Sequence, residues 1–296
     1  MKKFKKFLQF IFSIKNFDDN NRKLVTIMGL KIKFKEPNSN FYYLQKTNIQ
    51  AAAQHPRTFN GYQNKYNGQK IALIACGPTL KYYSQIPDTV HIGVNRSFLH
   101  KNITALDYLF IQDRLEHDME LANKYLPDKC QKFYGVIPER RYSKVKNKII
   151  KISNQDIVEA NAKIYILEDS VRRNWANNLE IEPIGDWLGC VFSALQFAMY
   201  TNPEVIYLVG CDCSAKGHFY KEKPSIFKNK NLTNLEYQLK PWQHFKEIAT
   251  KMYPHTKIIS VNPVGLKGMF QEVYTQSYIN ANPEQCRNKA EILPSI

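Results

Sequence analysis

The feature that most constrains this chain is a series of short apolar runs, each closed by a turn-forming or polar residue. Residues 71–76 (IALIAC) lead straight into Gly77-Pro78. Residues 90–94 stop at Asn95, 105–111 at Gln112-Asp113, 204–210 at Cys211-Asp212, and 257–261 at Asn262-Pro263. Such runs have no polar face, so they read as strands buried on both sides, the signature of a parallel sheet. Residues 132–136 read as a further strand and 148–152 as a shorter one. Helical patterns fall between them, at 114–125, 190–200 (CVFSALQFAMY, apolar nearly all round) and 242–252. This alternation predicts a doubly wound, mostly parallel α/β sheet.

In such a sheet a ligand sits beyond the carboxyl ends of the strands. Five strand ends here present turn-forming or polar groups, and their convergence carries more than any one motif. Gly77 allows close backbone approach, Pro78 suits the first turn of a following helix, and Thr79 can cap that helix or touch a phosphate. Amides at that helix start would face an anion. Neither GxGxxG nor GxxxxGK[ST] occurs, so the corner is not a standard dinucleotide fingerprint or P-loop. Asn95 can contact a ribose, base or sugar, or simply close an Asx turn. Asp113 and Asp212 can each hold a hydroxyl or a metal, or cap a helix. Gly189, in Gly185-Asp186-Trp187-Leu188-Gly189, opens the apolar helix, and a glycine at a helix start suits close approach to a phosphate or a sugar ring. Candidate bases are His218 and His244, and Tyr220 and Tyr237 can hydrogen-bond a phosphate.

With 44% hydrophobic and 23% charged residues, the 296-residue chain has the composition of a globular protein with a real core. Its net charge of +16 favours anionic partners. The basic residues are scattered and no helix-turn-helix or RNP-like pattern appears, which argues against nucleic acid. The six cysteines contain no CxxC pair and no zinc spacing, as for reduced thiols; no metal or cofactor is implied. No run of about 18 apolar residues is present. Residues 1–15 interleave Phe4, Phe7, Leu8, Ile11 and Phe12 with Lys2, Lys3, Lys5 and Lys6. A helix there would carry an aromatic face and a basic rim, as an interfacial anchor on an anionic membrane does. The expected organisation is a basic leader with a short strand pair bent at Gly29 (1–34), a polar linker with a helical turn or two at 42–54 (35–69), the α/β domain (70–275) and a tail (276–296).

The stretch IALIACGPTLKYYSQIP, with Gly93-Val94-Asn95-Arg96-Ser97-Phe98 and residues 188–214, resembles the bacterial lipooligosaccharide sialyltransferases of glycosyltransferase family 42. The same motifs are similar to motility-accessory-factor proteins and to 6-hydroxymethylpterin diphosphokinase-like domains. The resemblance spans roughly residues 70–270. It implies a Rossmann-like, GT-A-like single domain and metal-independent, inverting transfer from a nucleotide-activated sugar, such as a CMP-sialic-acid-like donor, to a glycan or lipid-linked glycan. By it, Cys76, Gly77, Pro78, Thr79, Asn95, Gly189, Asp212, Tyr220 and Tyr237 line the nucleotide site, and His218, His244 and Asp113 are the catalytic candidates. Cys76 stands where that family has Asn. Trp187-Leu188 replaces a hydroxyl-bearing pair, and the family's catalytic His falls by spacing near Tyr237. Residues 12–34 resemble the leaders of bacterial surface-polysaccharide glycosyltransferases, which implies a place on the cytoplasmic face of the inner membrane. The diphosphokinase alternative would need Mg²⁺ on Asp113 and Asp212. Self-association into a homo-oligomer is left open.

Overall fold

A computed structural model describes residues 12–16, 22–28, 30–35, 39–112, 115–136, 143–145, 148–150, 162–168, 174–187, 189–214, 216–220, 234–286 and 292–293. The chain divides into two compact units, residues 1–49 and 50–296.

The first unit contains a three-stranded antiparallel sheet: β1 (Phe12–Asn16), β2 (Arg22–Ile27) and β3 (Leu30–Lys35), in that order. The residues before 12 that were read as an amphipathic helix lie outside the described residues. Residues 12–16 themselves are strand, so the helical reading does not extend over them.

The division between units falls within α1 (Ser39–Phe59), one 21-residue helix occupying much of the stretch read as a linker. Its buried stripe is Ala51, His55 and Phe59, spaced by four and set on one side of the helix. Small and polar residues carry that stripe, so hydropathy alone understates it.

The second unit is built on nine parallel strands. These are β4 (Lys70–Ile74), β5 (Thr89–Val94), β6 (Tyr108–Ile111), β7 (Gln131–Val136), β10 (Ala162–Glu168), β11 (Ile184–Gly185), β12 (Val205–Val209), β13 (Lys257–Val261) and β14 (Gln271–Val273). Their spatial order is β11-β10-β7-β6-β5-β4-β12-β13-β14. The expected α/β, Rossmann-like, doubly wound sheet is therefore what forms. Two short strands, β8 (Ser143–Val145) and β9 (Lys148–Ile150), pair antiparallel in a separate hairpin. Residues 148–150 thus do not join the main sheet, and β10 takes the place next to β7.

Helices cover both faces of the sheet. On one side α3 (Cys190–Tyr200) and α4 (Asn234–Met252) pack with Phe59 over Ile71, Leu73, Ile92, Phe110 and Phe133. Phe110 and Phe133 stack at 4.7 Å and 17°, with Phe197 of α3 against both. On the other side α2 (Leu115–Tyr125) brings Met119 and Ala122 onto Ala72, Ile74, Leu109 and Ile111. The inward residues of neighbouring positions alternate between the two clusters, as the strand period of two requires. Two short helices, α5 (Gln276–Ala281) and α6 (Pro283–Cys286), follow β14 and gather Tyr274, Tyr278 and Cys286 into a small third cluster.

Candidate functional site

The strand order reverses direction between β4 and β12. From β4 the chain winds outward to β11, then returns to β12 and winds the other way. This is the topological switch point, where the loops leaving two adjacent parallel strands diverge and open a crevice.

The two loops are locked together at its base. Ala75 N–H donates to the Val209 carbonyl and Gly77 N–H to the Gly210 carbonyl, each at 2.8 Å. A Cβ on Gly77 would collide with the Gly210 carbonyl oxygen and the Asp212 carboxylate. Gly210 itself has φ +64°. The glycine at 77 therefore serves contact between loops, where the sequence suggested contact with a ligand.

Asp212 braces the corner. Its carboxylate accepts the Thr79 N–H at 2.8 Å and the Thr79 hydroxyl as well. Leu80 N–H turns back to the Gly77 carbonyl at 3.1 Å. Pro78–Tyr82 is a five-residue 3₁₀ turn, not the start of an α-helix. The amides of Gly77, Thr79 and Leu80 are thus all engaged within the protein, and Pro78 has none. The sequence argument for free amides facing an anion fails at this turn, because Asp212 and the neighbouring carbonyls satisfy them first. Burial raises the Asp212 carboxyl above the usual carboxylate range, and the Thr79 hydrogen bonds and Lys216 oppose that rise.

Cys76 is buried, and its thiol donates to the Val94 carbonyl at 3.3 Å. Burial pushes that thiol up to about 12. It ties β4 to β5 as a neutral group.

A second arrangement runs from β5 toward α3. Asn95 ends β5 in the left-handed region, at φ 48°, which short amide side chains tolerate. Its Oδ1 accepts the Gln112 N–H at 3.2 Å, and Gln112 Nε2 donates to Ser193 Oγ at 2.8 Å. Ser193 lies in the first turn of α3. Gly135 on β7 leaves the room these groups need: a Cβ there would stand 2.8 Å from the Tyr165 hydroxyl and 2.9 Å from Gln112 Cγ. Gly189 caps α3 with no side-chain hydrogen bond, and a Cβ there would meet nothing nearer than Val191 Cγ1 at 3.9 Å. Half-buried Asn95 and Gln112 thus meet at the ends of β5 and β6, and fully buried Ser193 ties Gln112 to the start of α3.

Beside Asn95 stands a cation. Arg96 begins the turn after Asn95, and its Nε donates to Asp118 Oδ1 of α2 at 2.6 Å. Its guanidinium carbon lies 5.5 Å from the centre of the Tyr220 ring. The Asp118 hydrogen bond is the main reason the guanidinium holds its proton even more firmly than usual. Residues 216–220 fold back over this corner, since Phe219 N–H donates to the Cys76 carbonyl at 2.9 Å. His218 stacks on Tyr220 at 5.3 Å and 19°, and Phe219 meets His100 edge-on at 4.9 Å.

His244 sits elsewhere. It stacks on Trp187 at 5.0 Å and 25°, with Nδ1 3.5 Å from Glu247 Oε2, and is partly exposed on α4. Trp187 is fully buried and donates through Nε1 to the Asn174 carbonyl at 3.0 Å. Where the sequence reading saw a lost hydroxyl, Trp187 is a core residue. Tyr237 is placed by its backbone alone, on α4 two turns before His244. Asp113 and Leu188 lie outside the described residues.

The structure therefore brings Cys76, Gly77, Pro78, Thr79 and Asp212 into one corner, and joins His218 and Tyr220 to it through Phe219 and Arg96. Gln112, Ser193, Arg96 and Asp118 were not assigned from sequence. Ser193 had a signal, as a hydroxyl within an apolar helix; Gln112 had one as the residue closing β6. Asp118 had none, because its partner is 22 residues away. Among the described residues no group of three His, Cys, Asp or Glu is placed to hold a metal ion.

No protein-family model matches the chain, and no curated protein matches it. Among solved structures, it is similar to one described as the MAf glycosyltransferase from Magnetospirillum magneticum AMB-1, with 11% identity and a TM-score of 0.44. The match covers 79% of this chain but only 38% of that protein's length.

Proposed function

We propose that this chain is a glycosyltransferase that takes its sugar from a nucleotide donor, bound at the carboxyl ends of β4, β5 and β6. The observation that carries the reading is the hydrogen-bonded line Asn95–Gln112–Ser193, which runs across the strand ends to the first turn of α3. Half-buried amides such as Asn95 and Gln112, the latter held in place by buried Ser193, suit a ribose or base, and the first turn of α3 suits a phosphate. The sequence likeness to family 42 sialyltransferases in residues 71–98 and 188–214 points to a CMP-linked acidic sugar.

In the proposed reaction an acceptor hydroxyl attacks the anomeric carbon, and the sugar–phosphate bond breaks with inversion. A base takes the hydroxyl proton, and the nucleotide phosphate leaves with the bond electrons. His218, His244 and Asp113 are the candidates for the base. Tyr220, Tyr237 and Arg96 are the groups proposed to meet the leaving phosphate, which would need hydrogen-bond donors in place of a metal. The acceptor is proposed to be a glycan or lipid-linked glycan at the inner membrane. No helix among the described residues is long and apolar enough to cross a membrane.

The diphosphokinase reading needs carboxylates free for Mg²⁺. Asp212 is already occupied by both donors of Thr79 and is buried, which favours sugar transfer over pyrophosphate transfer. Thermal-shift titration with CMP, CDP, UDP, GDP and ATP, with and without Mg²⁺, tests the choice. Stabilisation by CMP without metal, lost in Asn95→Ala and in Gln112→Ala, is expected. Stabilisation by ATP alone, dependent on Mg²⁺, would overturn the transferase reading.

A further inference from the structure

The register of the small antiparallel sheet sorts its residues by chemistry. Phe12 stands opposite Ile27, and Ile27 opposite Leu30; Ile14 stands opposite Val25, and Val25 opposite Ile32. Directly paired residues share a face of a sheet, and the next pair along takes the other face. All six of these positions are apolar and belong to one face, whose third row, farther from the β2–β3 turn, is Asn16, Lys23 and Phe34. The intervening rows are Ser13, Thr26 and Lys31, then Lys15, Leu24 and Lys33.

The apolar row is exposed toward the β2–β3 turn. Met28 at the turn is 74% exposed, Leu30 66%, Ile27 45% and Ile32 44%. These are four of the ten exposed large hydrophobics among the described residues, gathered within six positions of sequence. A patch of this kind at a hairpin tip marks an interaction surface.

Its charge says what covers it. The 17 residues of β1, β2 and β3 hold six Lys and Arg and no Asp or Glu. Residues 1–49 carry eleven Lys and Arg against three Asp and Glu, a net +8, half of the whole chain's +16. A second copy docking face to face would set +8 against +8. An anionic lipid surface offers both what the apolar tip and what the cations require.

We propose that the β2–β3 hairpin is a membrane-docking element, with Ile27, Met28, Leu30 and Ile32 entering the interface of an anionic bilayer and the surrounding Lys and Arg held to lipid phosphates. The proposal stands apart from the transferase reading, because binding to lipid requires no nucleotide.

The full-length chain is sedimented with phosphatidylcholine vesicles, with and without phosphatidylglycerol. Binding to the anionic vesicles alone is expected, and the doubly substituted Leu30→Ser/Ile32→Ser chain should bind roughly tenfold more weakly. Both positions are exposed, so its unfolding temperature should match that of the parent. In a Met28→Trp chain the added fluorescence should be quenched by bromine-labelled lipid, while the three native tryptophans of the second unit, buried Trp187 and Trp242 and half-buried Trp175, should give the unquenched signal of the parent chain. Anionic binding that salt abolishes but Leu30→Ser/Ile32→Ser leaves intact would overturn the hairpin assignment in favour of charge elsewhere. A lipid-free dimer that the same double substitution dissociates would overturn the membrane in favour of a second copy.

Discussion

His55 makes a prediction that can be worked through from geometry. It is fully buried on α1, with Nδ1 2.8 Å from the Leu179 carbonyl and Nε2 2.8 Å from the Ile166 amide. A carbonyl needs a donor and an amide needs an acceptor, so the ring must be the neutral tautomer with its proton on Nδ1. Protonating Nε2 would set two N–H groups face to face. Burial, partly offset by the backbone carbonyls of Leu179 and Glu182, lowers its pKa from 6.5 to about 4. Above pH 6.5 the ring is neutral folded or unfolded, and its contribution to stability is complete. As pH falls from 6.5 toward 4, the unfolded chain takes up the proton first, so stability declines. A drop of about 2.5 pK units at 1.36 kcal/mol each sets the loss at about 3 kcal/mol. Replacing His55 with Phe keeps the ring volume but strands the Leu179 carbonyl and the Ile166 amide, at about 1–3 kcal/mol each. Urea unfolding of parent and His55→Phe chains, from pH 7.5 down to 4.5, gives the difference in stability at each pH. His91 and His100, both also lowered chiefly by burial, are present in both chains and cancel. The parent should be the more stable near neutrality, and its advantage should shrink by most of that 3 kcal/mol on acidification. A difference that stays constant across the range would refute the neutral-tautomer argument.

Other outcomes follow from the crevice. Gly77→Ala should lower the unfolding temperature sharply, because its Cβ would press on the Gly210 carbonyl, whereas Gly189→Ala should leave it nearly unchanged and act on donor binding alone; differential scanning calorimetry with and without CMP separates the two. Thr79→Val should cost about 1–2 kcal/mol in denaturant titration, since Asp212 keeps the amide but loses the hydroxyl. Arg96→Met should destabilise the fold by about 3 kcal/mol through the stranded Asp118 carboxylate, and the double change Arg96→Met/Asp118→Leu should recover part of it.

The central sheet was legible because β4, β5, β6, β12 and β13 are short apolar runs with abrupt polar ends. β10 was not, because Lys163 and Glu168 bound its apolar run to the four residues 164–167, and no turn-forming Gly or Pro closes it. α1 was read only as a helical turn or two, short of its full length, for a related reason: its buried stripe is alanine, histidine and one phenylalanine, so it lacks the contrast that a hydropathy pattern needs. At the site, sequence found the corners but not the bonds. Gly77, Thr79 and Asp212 were each singled out as ligand contacts, yet they bind one another. Pairing between side chains 133 residues apart cannot be read from spacing along the chain.

That pairing bears on how the protein is made. Lys70 of β4 is in register with Val205 of β12, and Ile74 with Val209, so the middle of the sheet stays one-sided until the ribosome has passed residue 209. The half from β4 to β11 emerges first, with Ile71, Leu73 and the edge of β4 still uncovered. Closing a loop of that length is slow compared with local helix formation, and an open apolar strand edge is a risk for aggregation meanwhile. The corner at β4 and β12 closes only once Asp212 arrives to hold Thr79. A nascent chain stopped before residue 205 would have most of its strands and no partner for the free edge of β4 or for Thr79.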